Sequence, residues 1–135
     1  MRYTLAQHIA LTSLVVADYD EAIDFFVTKL NFQLLADQPI PEEQKRWVVV
    51  SPSQTAGAQL VLAQAKTDTE RLSIGNQTGG RVFLFLHTDD FWKDYKAYKS
   101  KGVEFIEKPR EESYGTVAVF KDLYGNLWDL LELSD

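Results

Sequence analysis

The side chains able to do chemistry are few and widely spaced. One carboxylate, Asp129, lies inside an apolar run in "DLYGNLWDLLEL" (122–133), and the histidines are His8 and His87. Cysteine is absent, which removes disulfides, thiolate metal sites and a cysteine nucleophile. A carboxylate among apolar neighbours must pair, take up a proton or hold a cation, because burying an isolated charge is costly. Arg46 in "KRWVVV" and Arg110 in "KPREESYGTVAVF" are candidate partners. Two readings of Asp129 follow: a structural Asp–Arg pair, or a ligand-binding or acid–base carboxylate. His87 is the second candidate, since histidine alone is expected to titrate near neutrality without a perturbing environment. Arg110, Glu111, Glu112 and Tyr114 fall in an expected loop before a strand, where a lid over a cleft would sit.

The elements that must position these groups occur twice. Ile9–Val16 is rich in β-branched residues and runs into "ADYDEAIDFFVTKLNF". Asp18 with Glu21 predicts a capping box, in which each side chain satisfies a free backbone N–H of the other. Ile23, Phe26 and Leu30 then recur at helical spacing, and Asn31, tolerant of the left-handed conformation, closes the helix. In "RVFLFLHTDDFWKDYKAYKSKGVEF" (81–105) a strand, Val82–Leu86, ends at Asp89-Asp90. A stripe of Phe91, Tyr95 and Tyr98 follows, closed by Gly102. Three strands are expected after each helix: Phe32–Leu35, Trp47–Val50 and Leu60–Leu62, then Val103–Ile106, Thr116–Lys121 and Leu127–Leu133, with "DLYGN" as the last hairpin turn.

The chain thus reads as βαβββ twice, its first strands offset by 72 residues. The expected fold is α+β, one domain over 1–135. Module 1 spans about 8–64, a polar linker with three glycines 65–80, and module 2 81–133. Such repeats bury together a face that neither copy buries alone. Two curved sheets side by side around a cleft, with helices outside, are the expected result, and Trp92 and Trp128 are expected on the helix side.

The length of 135 residues suits a single core. A net charge of −6 and pI near 4.9 argue against nucleic acid and anionic membrane surfaces, which need clustered Lys and Arg. No stretch reaches the roughly 20 apolar residues of a membrane span. "MRYTLAQHIALTSLVVADYD" carries an unbroken apolar run only from Leu14 to Ala17, so it is read as a strand rather than a leader, and the cytoplasm is the expected compartment. No G-x-G-x-x-G, P-loop, G-x-S-x-G or H-E-x-x-H occurs.

The doubled βαβββ plan, together with "VVADYDEAIDFFVTKLNF", "GVEFIEKP" and "DLYGNLWDLLEL", resembles the vicinal-oxygen-chelate superfamily of glyoxalases, bleomycin-resistance proteins, extradiol dioxygenases and methylmalonyl-CoA epimerases. The resemblance covers about residues 8–133. It implies a divalent metal on the concave sheet face, held by one residue from the first and one from the last strand of each half, and a homodimer. Carried over position by position, the ligand sites fall on Leu11, Val61, Phe83 and Asp129. Three of these have no donor, and a catalytic zinc normally has three protein ligands. The metal site is therefore expected to be missing, with no cofactor. His87, four residues beyond Phe83, is expected about 13 Å along the strand, too far to share a metal with Asp129.

Alternation of strand faces then predicts a cleft lined by Leu11, Ser13 and Val15; Gln59, Val61 and Ala63; Arg81, Phe83, Phe85 and His87; and Leu127, Asp129 and Leu131. His8 falls on the other face. Arg46, Arg110 and Tyr114 are added as ligand-contacting candidates from the hairpin regions. An apolar cleft with few polar groups suits a small molecule. The leading functional expectation is a metal-independent binder of a small aromatic or cationic compound. The alternatives are a lyase, isomerase or dioxygenase using a shifted metal site or Asp129 as general base, and a non-catalytic interaction module.

Overall fold

A computed structural model describes residues 6–135. Module 1 is β1 (Leu11–Val16), α1 (Tyr19–Asp24), β2 (Gln33–Ile40), β3 (Lys45–Ser51) and β4 (Gln59–Gln64). A π-helical turn, Phe25–Lys29, prolongs α1. A short helix, α2 (Asp68–Ser73), interrupts the segment expected to be a plain linker. Module 2 is β5 (Val82–His87), α3 (Phe91–Ser100), β6 (Arg110–Glu112), β7 (Gly115–Lys121) and β8 (Leu127–Leu133). The duplication is present in full. Two four-stranded mixed sheets share one topology, β1-β4-β3-β2 and β5-β8-β7-β6, each with one parallel pair.

The helix signals work as the residues require. Asp18 accepts from the Glu21 N–H at 2.8 Å, and Asp90 accepts from the Lys93 N–H at 3.3 Å. The capping box is half made, because the Glu21 carboxylate instead accepts from the Tyr124 hydroxyl across the module boundary. Asn31 (φ 60°) and Gly102 (φ 88°) both take the left-handed conformation that closes a helix. Two strand assignments change. Val103–Ile106 keeps only a single bridge, Phe105 to Phe120, and Arg110–Glu112 forms a hairpin with β7 rather than a loop.

One face of each sheet carries the helices, and the modules meet through those faces. Phe26 and Phe32 of module 1 lie 5.9 and 6.1 Å from the Trp128 ring. The Tyr98 hydroxyl donates to the Leu30 carbonyl. Helix and sheet residues of both modules form one hydrophobic cluster. Each helix buries one face in this shared core, through Tyr19 and Ala22 on α1 and Phe91 and Tyr98 on α3, and lies on the side of its sheet away from the helix-free face, as expected. Trp128 is buried on that side as expected, whereas Trp92 on α3 is 47% exposed.

Near its C-terminal end the linker is tied to both modules. The Gln77 N–H donates to Asn126 Oδ1, and Gln77 Oε1 accepts from the Val15 N–H on the outer edge of β1. Gly75 adopts φ +74° directly against the Tyr124 carbonyl, where a Cβ would come within 2.1 Å. Only glycine fits that approach.

Candidate functional site

β1 and β5 are edge strands of their sheets. Beside β5 lies a cavity of about 800 Å³, walled by Phe32, Leu60, Leu84, Phe85, Leu86 and Trp128. The β3–β4 loop (52–58) closes one side through Pro52, Ser53, Ala56, Gly57 and Ala58, while Thr12, His87, Thr88 and Asp89 supply the polar border. Its volume lies in the range of small-molecule sites, and its walls have the apolar, aromatic character such sites need.

Of the expected lining, only Phe85 and His87 reach this cavity. Most of the other strand residues stand on the helix-free sheet faces. Ser13 pairs with Val61, which pairs with Val49, and Phe85 pairs with Asp129, which pairs with Val119. Leu11 and Gln59 are register partners on the first of these faces. These faces are open at Leu11, 39% exposed, and Phe85, 62% exposed, while Val49, Val119 and Leu131 on them are buried.

Phe83 departs from expectation. The β5–β8 register shifts between Val82 and Leu84, so Phe83 and Leu84 together oppose Trp128. This bulge turns the Phe83 ring into the core, 6.3 Å from the Trp128 ring. The same shift brings Phe85 beside Asp129 and His87 beside Leu131. His87 therefore stands one row from Asp129, about 7 Å along the strand, closer than strict alternation predicts.

Neither arginine pairs with Asp129. Arg46 lies on the helix side, where it binds Asp37 and Asp20 and covers the Tyr19 ring at 5.1 Å. Its hydrogen bonds hold the Asp37 carboxyl below the usual carboxylate range. Arg110 is held by Glu107 and Glu112. Asp129 makes no hydrogen bond or ion pair among the described residues. Burial raises its pKa, the more distant Arg110 charge opposes that rise, and Glu107 adds to it. Tyr114 is half-exposed in the β6–β7 turn.

The wall residues Thr12, Phe32, Leu60 and the loop 52–58 were missed at the sequence level. The run "SPSQTAGAQ" carries a clear loop signature of Ser, Pro and Gly. Nothing in it shows that the loop folds back over β5.

Residues 6–130 match the model of the Glyoxalase/Bleomycin resistance protein/Dioxygenase superfamily. The chain belongs to this superfamily. An uncharacterized protein of Shewanella frigidimarina (strain NCIMB 400) is 57% identical over 131 residues, 97% of each chain. Among solved structures, UcmS2 superposes with a TM-score of 0.80 at 27% identity, covering 94% of this chain and 98% of that one. TnmS3, an antibiotic binding protein from Streptomyces sp. CB03234, superposes with a TM-score of 0.77 at 32% identity, covering 98% and 100%.

The superfamily resemblance implies a divalent metal, and the residues present do not fit one. The true neighbours of Val61 and Asp129 are Ser13 and Phe85, which leaves Asp129 as the one carboxylate in those two rows. Among the described residues, no three His, Asp or Glu side chains converge on a point. Nor is any helix among them long and apolar enough to cross a membrane.

Proposed function

We propose that this protein binds a small aromatic organic molecule in the cavity beside β5, without a superfamily-type metal. The observation that carries the reading is the cavity itself, about 800 Å³ and bordered by the exposed ring of Phe85, with the buried Phe32 and Trp128 behind it. An exposed ring suits a planar aromatic ligand, and such a ring contact adds about 0.5–1.5 kcal/mol beyond area burial. Similarity to an antibiotic binding protein supports the same class of role.

The test is thermal shift against a library of polycyclic aromatic compounds, run on the protein and on Ala56→Trp, which fills the cavity from an exposed loop. A true ligand at about 100 times its Kd stabilises by about 2.7 kcal/mol, and the substitution abolishes that gain. A library without a single stabilising compound, or gains indifferent to Ala56→Trp, would overturn the proposal.

A second reading rests on Asp129, whose raised pKa and lack of an ion-pair partner suit a proton acceptor in a lyase or isomerase. Turnover left unchanged by Asp129→Asn would sink it. We also infer a homodimer in which a second copy covers the open sheet faces around Leu11 and Trp47, to be checked by sedimentation equilibrium.

A further inference from the structure

The cavity is bordered by the backbone of β5 as well as by its side chains. Leu84, Phe85, Leu86 and His87 all line it, although successive residues of a strand point to opposite faces. Residues from both faces border one space when that space lies along the strand's edge. The ladder shows which backbone groups face it. Thr88 N–H donates to the Leu131 carbonyl, and His87 and Leu131 are register partners. In a parallel ladder alternate residues bond to the neighbour, so Leu84, Leu86 and Thr88 are turned toward β8. The N–H and C=O groups of Phe85 and His87 are turned the other way, toward the cavity. β5 has β8 as its one strand partner, and nothing among the described residues bonds to these four groups.

At the corresponding edge of β1, Gln77 caps the Val15 N–H, while the outward groups of Leu11 and Ser13 have no partner among the described residues. The cavity runs along β5, which lends it consecutive residues from Leu84 to His87, and touches β1 at Thr12. Two donors and two acceptors, repeating over about 7 Å, match one stretch of extended peptide backbone. An unpaired edge is a template for such pairing. The exposed aromatic ring of Phe85 flanks it, and Asp89 stands at its C-terminal end.

Resting on the cavity reading above, we propose that the ligand is a peptide-like molecule carrying aromatic side groups, whose amide backbone pairs with Phe85 and His87 along the free edge of β5. The amides fix its direction, and the rings give it contact area. Small-molecule volume favours two or three residues over a folded partner.

The probe is acetyl-Phe-Val-Phe-amide, titrated by 15N-resolved NMR into the full chain, beside two analogues. One is N-methylated at the central residue, the other at both flanking residues. Edge pairing aims alternate amides at the protein, so the expected result is that one analogue loses at least tenfold in affinity while the other is nearly unaffected. The Phe85 and His87 amide signals shift with the tolerated probe. Equal affinity for both analogues, or no binding of the parent peptide, overturns the proposal. So does slow hydrogen exchange at Phe85 and His87 in the ligand-free protein, which would show a second copy on the edge. If polycyclic aromatics stabilise the protein and the peptide does not bind, this inference falls while the cavity reading stands. If neither binds, both fall.

Discussion

The two modules join their last two strands by connections that have diverged in opposite directions. In module 2, residues 122–126 form a tight turn around Asp122, which is 5% exposed. Its carboxylate accepts four hydrogen bonds: from the Tyr124 and Asn126 backbone N–H groups, Asn126 Nδ2 and Trp128 Nε1. In module 1, residues 52–58 form a longer, largely exposed loop held by local serine contacts such as Ser53 N–H to Ser51 Oγ. The tight turn locks Trp128, a wall of the cavity, and the loose loop forms the opposite wall. One copy of the repeat fixes the floor of the site, and the other is free to shape its mouth. Divergence between equivalent segments thus marks the candidate site better than any single residue type does.

The largest effect should fall on the locked connection. Asp122→Ala orphans the buried Trp128 Nε1–H and Asn126 amide, and should cost about 3–5 kcal/mol by urea unfolding. Ser53→Ala in the loose connection should change stability by less than about 0.5 kcal/mol. Comparable losses in both would break the contrast.

The linker tests whether module 2's turn is also a docking point. Gly75→Ala places a methyl against the Tyr124 carbonyl at positive φ, and should cost about 2 kcal/mol. Its counterpart Gly57→Ala also has positive φ but meets nothing within 4 Å, so its cost should be the smaller backbone strain alone, about 1 kcal/mol. Equal Tm shifts for the pair would mean that the linker does not press on the turn.

The duplication was legible because caps and stripes repeat: Asp18 and Asp90 start helices, and Asn31 and Gly102 end them. These are local signals, decided by a few backbone angles. The site was less legible because its geometry depends on non-local events. Strict alternation put Phe83 on the open face, but one bulge sends it into the core and advances Phe85 and His87 by a row. Arg46 looked like a partner for Asp129, yet its place on β3 points it at Asp37 and Asp20. No periodicity in a single strand encodes a bulge or the choice between two carboxylates.

Arg46 and Asp129 sharpen the comparison at the level of charge, module 1 holding a satisfied cluster and module 2 an unsatisfied carboxylate. Arg46→Ala removes two ion pairs and a cation–π contact at a partly exposed site, and should cost about 1 kcal/mol near pH 7. Because the folded Asp37 pKa lies below its unfolded value, the stabilisation is present above the unfolded pKa of 3.8 and is lost as pH falls through the folded one. The cost of Arg46→Ala should therefore shrink in acid.

Asp129 should behave in the opposite sense. Its folded pKa lies above 3.8, so between the two values the folded state holds more protons than the unfolded one, and stability falls as pH rises through that window. Ionised Asp129 is thus a destabilising charge at neutral pH, and a modest one because the group is partly solvated. Asp129→Asn should raise Tm slightly at pH 7 and leave it unchanged below the unfolded pKa. If Tm instead drops at pH 7, the carboxylate has a cationic partner on the open face, and the asymmetry between the two modules disappears at this position.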